Sequence, residues 1–109
     1  MPKTSTSTKR IKLKIEDNHS DFKSFYDTNK PLIFKKIIEC FDILIKNSNI
    51  KNIKLLIIGK ISGFDWDTEF NFHKNDQETL LRDVLPFFEQ IEDYETCSEI
   101  INLHKELVK

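Results

Sequence analysis

The chain has 109 residues, of which 39% are hydrophobic and 32% are charged, and its formal net charge is −1. This balance excludes a histone-like basic protein and a wholly acidic chain, and the length suits one domain with one core. The small total conceals an asymmetry, because residues 1–60 carry 13 Lys and Arg against 6 Asp and Glu, whereas residues 61–109 carry 4 against 12. The two halves therefore have net charges of +7 and −8.

The N-terminal residues divide into a tail and a strand. The first eight residues hold no periodic apolar positions, so we predict a disordered tail over residues 1–8 and a single domain over residues 9–109. Residues 9–16 alternate strictly between basic and apolar side chains. This alternation predicts a half-buried strand, β1.

The next segment predicts helical structure. Residues 17–20 have the composition of a loop, and residues 21–27 are compatible with a short helix. Pro31 then predicts the start of a longer helix, α1, because proline is tolerated in the first turn of a helix. Apolar residues recur at three- and four-residue spacing as far as Asn47, where we expect α1 to end.

Two strands follow in the centre of the chain. Residues 53–61 predict a strand, β2, in which residues 55–58 are consecutively apolar. Apolar side chains on both faces are typical of a central strand that is covered on both faces. After a turn at Ser62 and Gly63, residues 64–73 alternate between aromatic or Thr and polar side chains and predict β3. We expect β2 and β3 to form a hairpin.

The C-terminal region predicts a helical hairpin. Asn75 or Asp76 can cap a helix, α2, whose apolar stripe reaches Ile91, and Pro86 should kink or split α2 near Leu85. A turn then leads to the last helix, α3. The order β1-α1-β2-β3-α2-α3 predicts an α+β fold: a small mixed three-stranded sheet with β2 central and a C-terminal helical hairpin.

The last helix has a resemblance to known helical hairpins. Residues 93–107, DYETCSEIINLHKEL, resemble the second helix of the UVR hairpin of excision-repair proteins and, more loosely, a tetratricopeptide helix pair. The resemblance implies a helical contact surface. The predicted apolar stripe of α3 comprises Ile100, Ile101, Leu103, Leu107 and Val108.

Location and redox state are also suggested by the sequence. No run reaches the ~20 apolar residues of a membrane helix, and the first residues lack the apolar segment of a secretory signal. We therefore expect a cytoplasmic protein. Cys40 and Cys97 have no C-x-x-C spacing and are expected to be reduced and buried. The abundance of Ile, Lys, Asn and Phe suggests an AT-rich genome.

Catalytic and metal-binding patterns are weak. The polar face of β3 carries Asp65, Asp67, Glu69 and His73, which are residue types that bind metal ions. Same-face residues in a strand lie about 6.5–7 Å apart, so a solvated edge face is the favoured interpretation. The histidines have no zinc-site spacing, and no nucleophile or phosphate-binding motif is present. We expect no enzymatic activity and no cofactor.

The acidic C-terminal hairpin carries the preferred functional hypothesis. We expect a non-enzymatic protein–protein interaction module, such as an inhibitor, immunity, anti-defence or accessory protein of a phage or mobile element. Its partner would be a protein with a basic surface, approached with the help of electrostatic steering. The predicted partner-binding residues are Glu92, Asp93, Tyr94, Glu95 and Glu99.

Two alternatives involve the basic half of the chain. In the first, the chain is a nucleic-acid-binding accessory protein that contacts phosphates through Lys9, Arg10, Lys12 and Lys14. In the second, the basic half of one copy meets the acidic half of another, which gives a homo-oligomer through a head-to-tail contact.

Overall fold

A computed structural model describes residues 8–109. The elements are β1 (Thr8–His19), α1 (Phe22–Lys46), β2 (Asn52–Ile61), β3 (Phe64–His73), a 3₁₀ turn (Lys74–Asp76), a π-helical segment (Leu80–Val84), α2 (Leu85–Gln90) and α3 (Tyr94–Leu107). This order confirms the predicted α+β fold, with β2 in the middle of a three-stranded sheet. The predicted tail lies outside the described residues, except for Thr8, which begins β1.

The sheet is mixed, as predicted: β1 and β2 are parallel, and β2 and β3 are antiparallel. β1 continues through the predicted loop to His19, with a register shift between Lys14 and Asn18. The hairpin turn at Ser62 and Gly63 has φ angles of 52° and 80°, which suit a two-residue turn. The Ser62 N–H donates to the His19 carbonyl at 2.7 Å, and the Gly63 N–H donates to Asn18 Oδ1 at 2.8 Å. The end of β1 therefore fixes the β2–β3 turn.

The helices cover only one face of the sheet. Ile53, Leu55 and Ile57 of β2 face the helices and are at most 1% exposed. Leu56 and Ile58 point to the opposite face, which we call the open face, and they are half-buried. The Cα atoms span 16 Å in the thinnest direction, which accommodates one sheet and one helical layer. The expectation that β2 is covered on both faces is therefore wrong.

α1 is longer than predicted. The predicted short helix over residues 21–27 and α1 form one continuous helix, and Pro31 lies inside it rather than at its start. Phe25, Asn29 and Ile33 recur every four residues through this region and are 1%, 4% and 3% exposed. Because the same buried face runs through both sides of Pro31, tertiary contacts hold the helix together across the proline.

Pro86 divides the predicted α2 as expected. The part before it is π-helical, and the part that contains it is a short α-helix. Leu80, Val84 and Phe88 are buried at four-residue spacing, whereas Ile91 is 53% exposed. A π-helical turn uses one more residue than an α-helical turn, and α2 ends before Ile91. The predicted extension of the apolar stripe to Ile91 is therefore wrong.

α3 packs against α1 and α2. Its buried residues include Cys97, Ile100 and Leu103. Ile101 and Val108, which the sequence assigns to the apolar stripe, are 40% and 52% exposed. The contact face of α3 is thus narrower than the predicted stripe, because only the side that faces α1 and α2 is buried.

Burial of Cys40 leads to a prediction about alkaline stability. This side chain is 0% exposed, and burial raises the pKa of its thiol to about 12, with Glu39 adding to the rise. In the unfolded chain the thiol ionises at about pH 8.5. Between this pH and the higher pKa of the folded protein, only the unfolded state gains free energy from ionisation of the thiol, so the protein becomes less stable as the pH rises. We expect this thiol to lower the free energy of unfolding by about 2 kcal/mol at about pH 10.

Urea denaturation of the natural chain and of Cys40→Ala, near neutral pH and near pH ~10, measures this contribution as a difference of differences. Burial also raises the pKa of Tyr26, but this contribution is common to both proteins. If the free energy of unfolding falls by the same amount at alkaline pH in the two proteins, the Cys40 thiol is accessible to water in the folded state.

Candidate functional site

The turn between α2 and α3 has a well-defined backbone. Glu92 adopts a left-handed φ of 60°, which reverses the chain after α2. The Asp93 N–H then donates to the Phe88 carbonyl at 2.9 Å. We call residues 91–95 the acidic tip.

Asp93 begins α3 and caps it. Its carboxylate accepts a hydrogen bond from the Thr96 hydroxyl at 2.7 Å and another from the Thr96 N–H at 3.2 Å. These two bonds, the hydroxyl first, lower the pKa of the Asp93 carboxyl. Because both carboxylate oxygens are used within the helix, Asp93 orders the tip and is less available to a partner than the sequence suggests.

The acidic tip exposes an aromatic and an aliphatic side chain beside carboxylates. Tyr94 is 65% exposed and Ile91 is 53% exposed. Glu92 and Glu95 are exposed in the same short stretch. The structure thus places three of the predicted partner-binding residues, Glu92, Tyr94 and Glu95, at one end of the helical hairpin. Sequence reasoning missed Ile91, because helical periodicity assigned it to the core.

Glu99 lies apart from the acidic tip. It is one helical turn beyond Glu95 on α3 and lines a cleft of 520 Å³ between α1 and α3. Lys35, Asp42 and Lys46 of α1 line the same cleft. Glu99 therefore has both basic and acidic neighbours from α1 in this cleft, and it does not belong to the acidic tip.

The basic residues of β1 divide between the two sides of the sheet. Arg10, Lys12 and Lys14 lie on the open face, beside the open-face residues of β2. Lys9 is in register with Ile53, so it lies on the helix-covered side at the edge of the sheet. Three of the four predicted phosphate-binding residues therefore form one row.

Acidic residues of β3 share this open face. Asp65, Asp67 and Glu69 alternate along β3 on the same side of the sheet as the basic row. Lys60 Nζ lies 3.7 Å from Asp65 Oδ1, and Arg10 Nη1 lies 3.9 Å from Glu69 Oε2. Folding thus brings part of the positive half of the chain next to part of the negative half. The open face is basic at β1 and acidic at β3.

The possible metal ligands of β3 remain in a row along the strand. Asp65, Asp67, Glu69 and His73 all belong to β3. His73 Nδ1 lies 3.6 Å from an oxygen of Asp76 in the following turn. Within residues 8–109, no three His, Cys, Asp or Glu side chains come together in a group that could hold a metal ion.

A serine and a histidine lie close together at the start of α1, as in a nucleophile–base pair. Ser24 Oγ is 3.4 Å from His19 Nδ1, and Asn29 Nδ2 is 3.4 Å from His19 Nε2. Asn29 Nδ2 also donates to the Phe25 carbonyl at 2.8 Å, which fixes the amide orientation. In the tautomer whose Nε2 accepts a hydrogen bond from Asn29, Nδ1 carries the hydrogen that faces Ser24. A general base needs a lone pair at that position, so this tautomer does not activate Ser24.

A groove runs between α1, the helix-covered side of β3, and the π-helical segment with α2. Its volume is 480 Å³. The Phe34 and Phe87 rings meet edge to face across it at 5.4 Å, and Phe70 in its floor is 42% exposed. We call it the aromatic groove. Its aromatic lining residues are Tyr26, Phe34, Phe70, Phe72 and Phe87.

The aromatic groove was not predicted from the sequence. Periodicity identifies the apolar faces of α1 and β3 but not the gap between them, because the gap depends on where α2 packs. The alternation of β3 was the only available signal, since it requires something to cover its aromatic side.

No protein-family model, curated protein or solved structure matches the chain. In the part of the chain that the structure describes, no helix is both long enough and apolar enough to cross a membrane. The functional proposals below therefore depend on the exposed side chains, the grooves and the charges of residues 8–109.

Proposed function

We propose that the chain is a non-enzymatic protein–protein interaction module that presents the acidic tip to a basic surface of a partner protein. The observation that carries this proposal is the 65% exposure of Tyr94 on a turn held by the cap of α3. Tyrosine is enriched among the residues that dominate binding energies. A backbone ordered before binding reduces the entropy lost on association.

The charges of the tip support a basic partner. Glu92 and Glu95 are exposed on either side of Tyr94. Carboxylates at the rim of an interface accelerate association with a positive surface and add little to the energy of the bound state. An inhibitor, immunity or accessory protein that covers a basic functional surface would use such a combination.

The test uses the full chain with a photo-crosslinking benzoylphenylalanine in place of Ile91, produced in the source cells. We expect a crosslink to one basic protein. With that protein purified, Tyr94→Ala should weaken binding by about 30-fold, which corresponds to ~2 kcal/mol for a central aromatic residue. Replacing Glu92 and Glu95 by Lys should mainly slow association and reduce its dependence on salt.

The control is Glu106→Lys, which makes a single change of the same kind at the other end of α3. Glu106 is exposed, and its Oε2 atom lies 2.8 Å from Lys109 Nζ. This variant should bind the partner as the natural chain does. Crosslinks spread over many proteins, or affinity that Tyr94→Ala leaves unchanged, would contradict the proposal.

Nucleic-acid binding is a second candidate, favoured by the cations of the open face. Arg10, Lys12 and Lys14 lie there beside Lys54 and Lys60. The acids of β3 oppose this candidate, because a polyanion lying across the sheet would meet them. If it is correct, labelled DNA or RNA binds with an affinity that falls steeply between about 50 and 200 mM salt. Replacing Lys12 and Lys14 by Glu would then abolish binding, and that result would argue against the first proposal.

A further inference from the structure

β3 is a long edge strand. It has ten residues and pairs, within the described chain, with β2 only. Its register with β2 is unbroken from Phe64 to His73, and it contains no proline. Edge strands are commonly protected by shortness, bulges, proline or charged side chains, and β3 has only the last of these, in the carboxylates of its open face. Its outward N–H and C=O groups can therefore pair with another strand.

The helix-covered side of β3 supplies aromatic side chains beside this edge, and Lys30, Arg82 and Asp83 also line the aromatic groove. Phe64 is 76% exposed, and Phe70 is 42% exposed in the floor of the aromatic groove. A smaller cavity of 40 Å³, lined by Phe22, Trp66 and Phe70, continues the groove along β3. Since alternate residues of a strand point to the same side, every second residue of an added strand would lie next to this apolar surface.

The open face supplies charge beside the same edge. Asp65, Asp67 and Glu69 alternate with the aromatic residues of β3. Opposite charges on neighbouring strands stabilise a sheet, and like charges destabilise it. The remaining residues of an added strand would therefore be favoured as Lys or Arg.

We infer that β3 and the aromatic groove bind an extended segment of a partner protein in which apolar residues alternate with Lys or Arg. The segment adds an edge strand to the sheet, with its apolar side chains towards the groove and its basic side chains beside the three acids. This site is separate from the acidic tip, and the inference does not depend on the function proposed for the tip.

A second copy of the chain does not fit this edge. Pairing β3 with β3 of another copy would place its acids beside identical acids. β1 has the required alternation of basic and apolar residues, but Ile11, Leu13 and Ile15 face its own helical layer, and Ile15 is 6% exposed. An apolar side chain that is already buried in one core cannot enter the groove of another copy.

The test measures binding of the full chain to a fluorescein-labelled heptapeptide of alternating Lys and Val. We expect saturable binding by fluorescence polarisation and slower hydrogen exchange of the β3 amides. A peptide with the same composition but with Lys and Val in separate blocks should bind at least about tenfold more weakly. N-methylation of alternate amides on the side facing β3 should also abolish binding, because it removes the hydrogen bonds to the edge.

Charge reversal tests the orientation of the segment. Asp67→Lys combined with Glu69→Lys should reverse the preference. The affinity for the Lys/Val peptide should fall by about tenfold, and the affinity for a Glu/Val peptide should rise by about tenfold. Lys12→Glu combined with Lys14→Glu, on the same face at the other edge, is the matched control and should keep the preference for Lys. Tyr94→Ala should leave peptide binding unchanged, which separates this site from the acidic tip.

Three results with the peptides would overturn the inference. They are the absence of saturable binding, equal binding of the alternating and block peptides, and exchange protection at β1 instead of β3. Dimerisation of the chain that slows exchange at β3 would also overturn it, because a second copy would then occupy the edge.

Discussion

Replacing Gly59 by alanine is expected to destabilise the fold by about 3 kcal/mol, at the upper end of the usual cost of overpacking a core. A Cβ atom at this position would lie 2.2 Å from Cε2 and 2.6 Å from Cζ of Phe25. The Phe25 ring is 1% exposed and is packed against the rings of His19 and Trp66 at 5.6 and 5.1 Å, so the only space into which it can shift is the cavity of 40 Å³ that it lines. Urea denaturation of the purified variant measures the loss.

A double-mutant cycle with Phe25→Ala isolates this contact. Removing the ring is itself costly, at about 3–5 kcal/mol, but in that background the added methyl group has space. We therefore expect Gly59→Ala to cost less than about 1 kcal/mol there, which gives a coupling of roughly 2–3 kcal/mol. Gly63→Ala is the control: Gly63 has a φ of 80° and no atom near its Cβ position. Its cost should be the same in both backgrounds.

The contact also explains how the N-terminal part of α1 is positioned. Gly59 allows the Phe25 ring to lie directly on β2, and Trp66 packs on that ring from β3. The first turns of α1 are thereby held beside the smaller cavity of the groove. A cycle in which Gly59→Ala costs the same with and without Phe25 would show that the strain lies in the strand instead.

The strand pattern was predictable from the sequence because strands with one covered face alternate with period 2. The two sides of β3 are those expected, with Phe72 buried and Asp67 exposed. The covering of β2 was not predictable. Leu56 and Ile58 are as apolar as buried residues, and only the position of the helices shows that they lie on an open face.

The functional surfaces could be predicted only in part. The acidic residues of the hairpin and their exposure follow from composition, and Glu92 and Glu95 are exposed at one end of it. The capping role of Asp93 depends on Thr96 three residues later and is a local signal that the sequence does contain. Ile91 is exposed at the residue where α2 ends, and simple periodicity does not predict that boundary.

The charge asymmetry of the chain has a different meaning after folding. Parallel pairing of β1 with β2 and antiparallel pairing of β3 place a basic and an acidic edge on one open face. The contacts Arg10–Glu69 and Lys60–Asp65 are exposed and therefore contribute little to stability. Under the inference drawn for β3, its acidic edge favours an added strand that carries Lys or Arg.

The second large effect is expected at Pro31, where replacement by alanine should stabilise the protein by about 2 kcal/mol. Pro31 is exposed in the interior of α1, where proline costs about 3 kcal/mol relative to alanine. The missing N–H leaves the carbonyl four residues earlier without its helical partner. Up to about 1 kcal/mol of the gain is lost again, because alanine gives the unfolded chain more conformational freedom. Urea denaturation compares the two proteins directly.

Thr28→Ala is the matched control, since Thr28 is an exposed residue of the same helix and gains at most about 0.7 kcal/mol from helix propensity. A gain at Pro31 no larger than this would mean that the proline sets a bend in α1 that packing requires. Phe25 and Ile33 lie on the two sides of that position and are both buried against the sheet and its helical layer. A straighter helix would then move one of them away from its contacts, and the propensity gain would be offset by lost burial. The sign and size of the change therefore show whether tertiary packing merely tolerates Pro31 or depends on it.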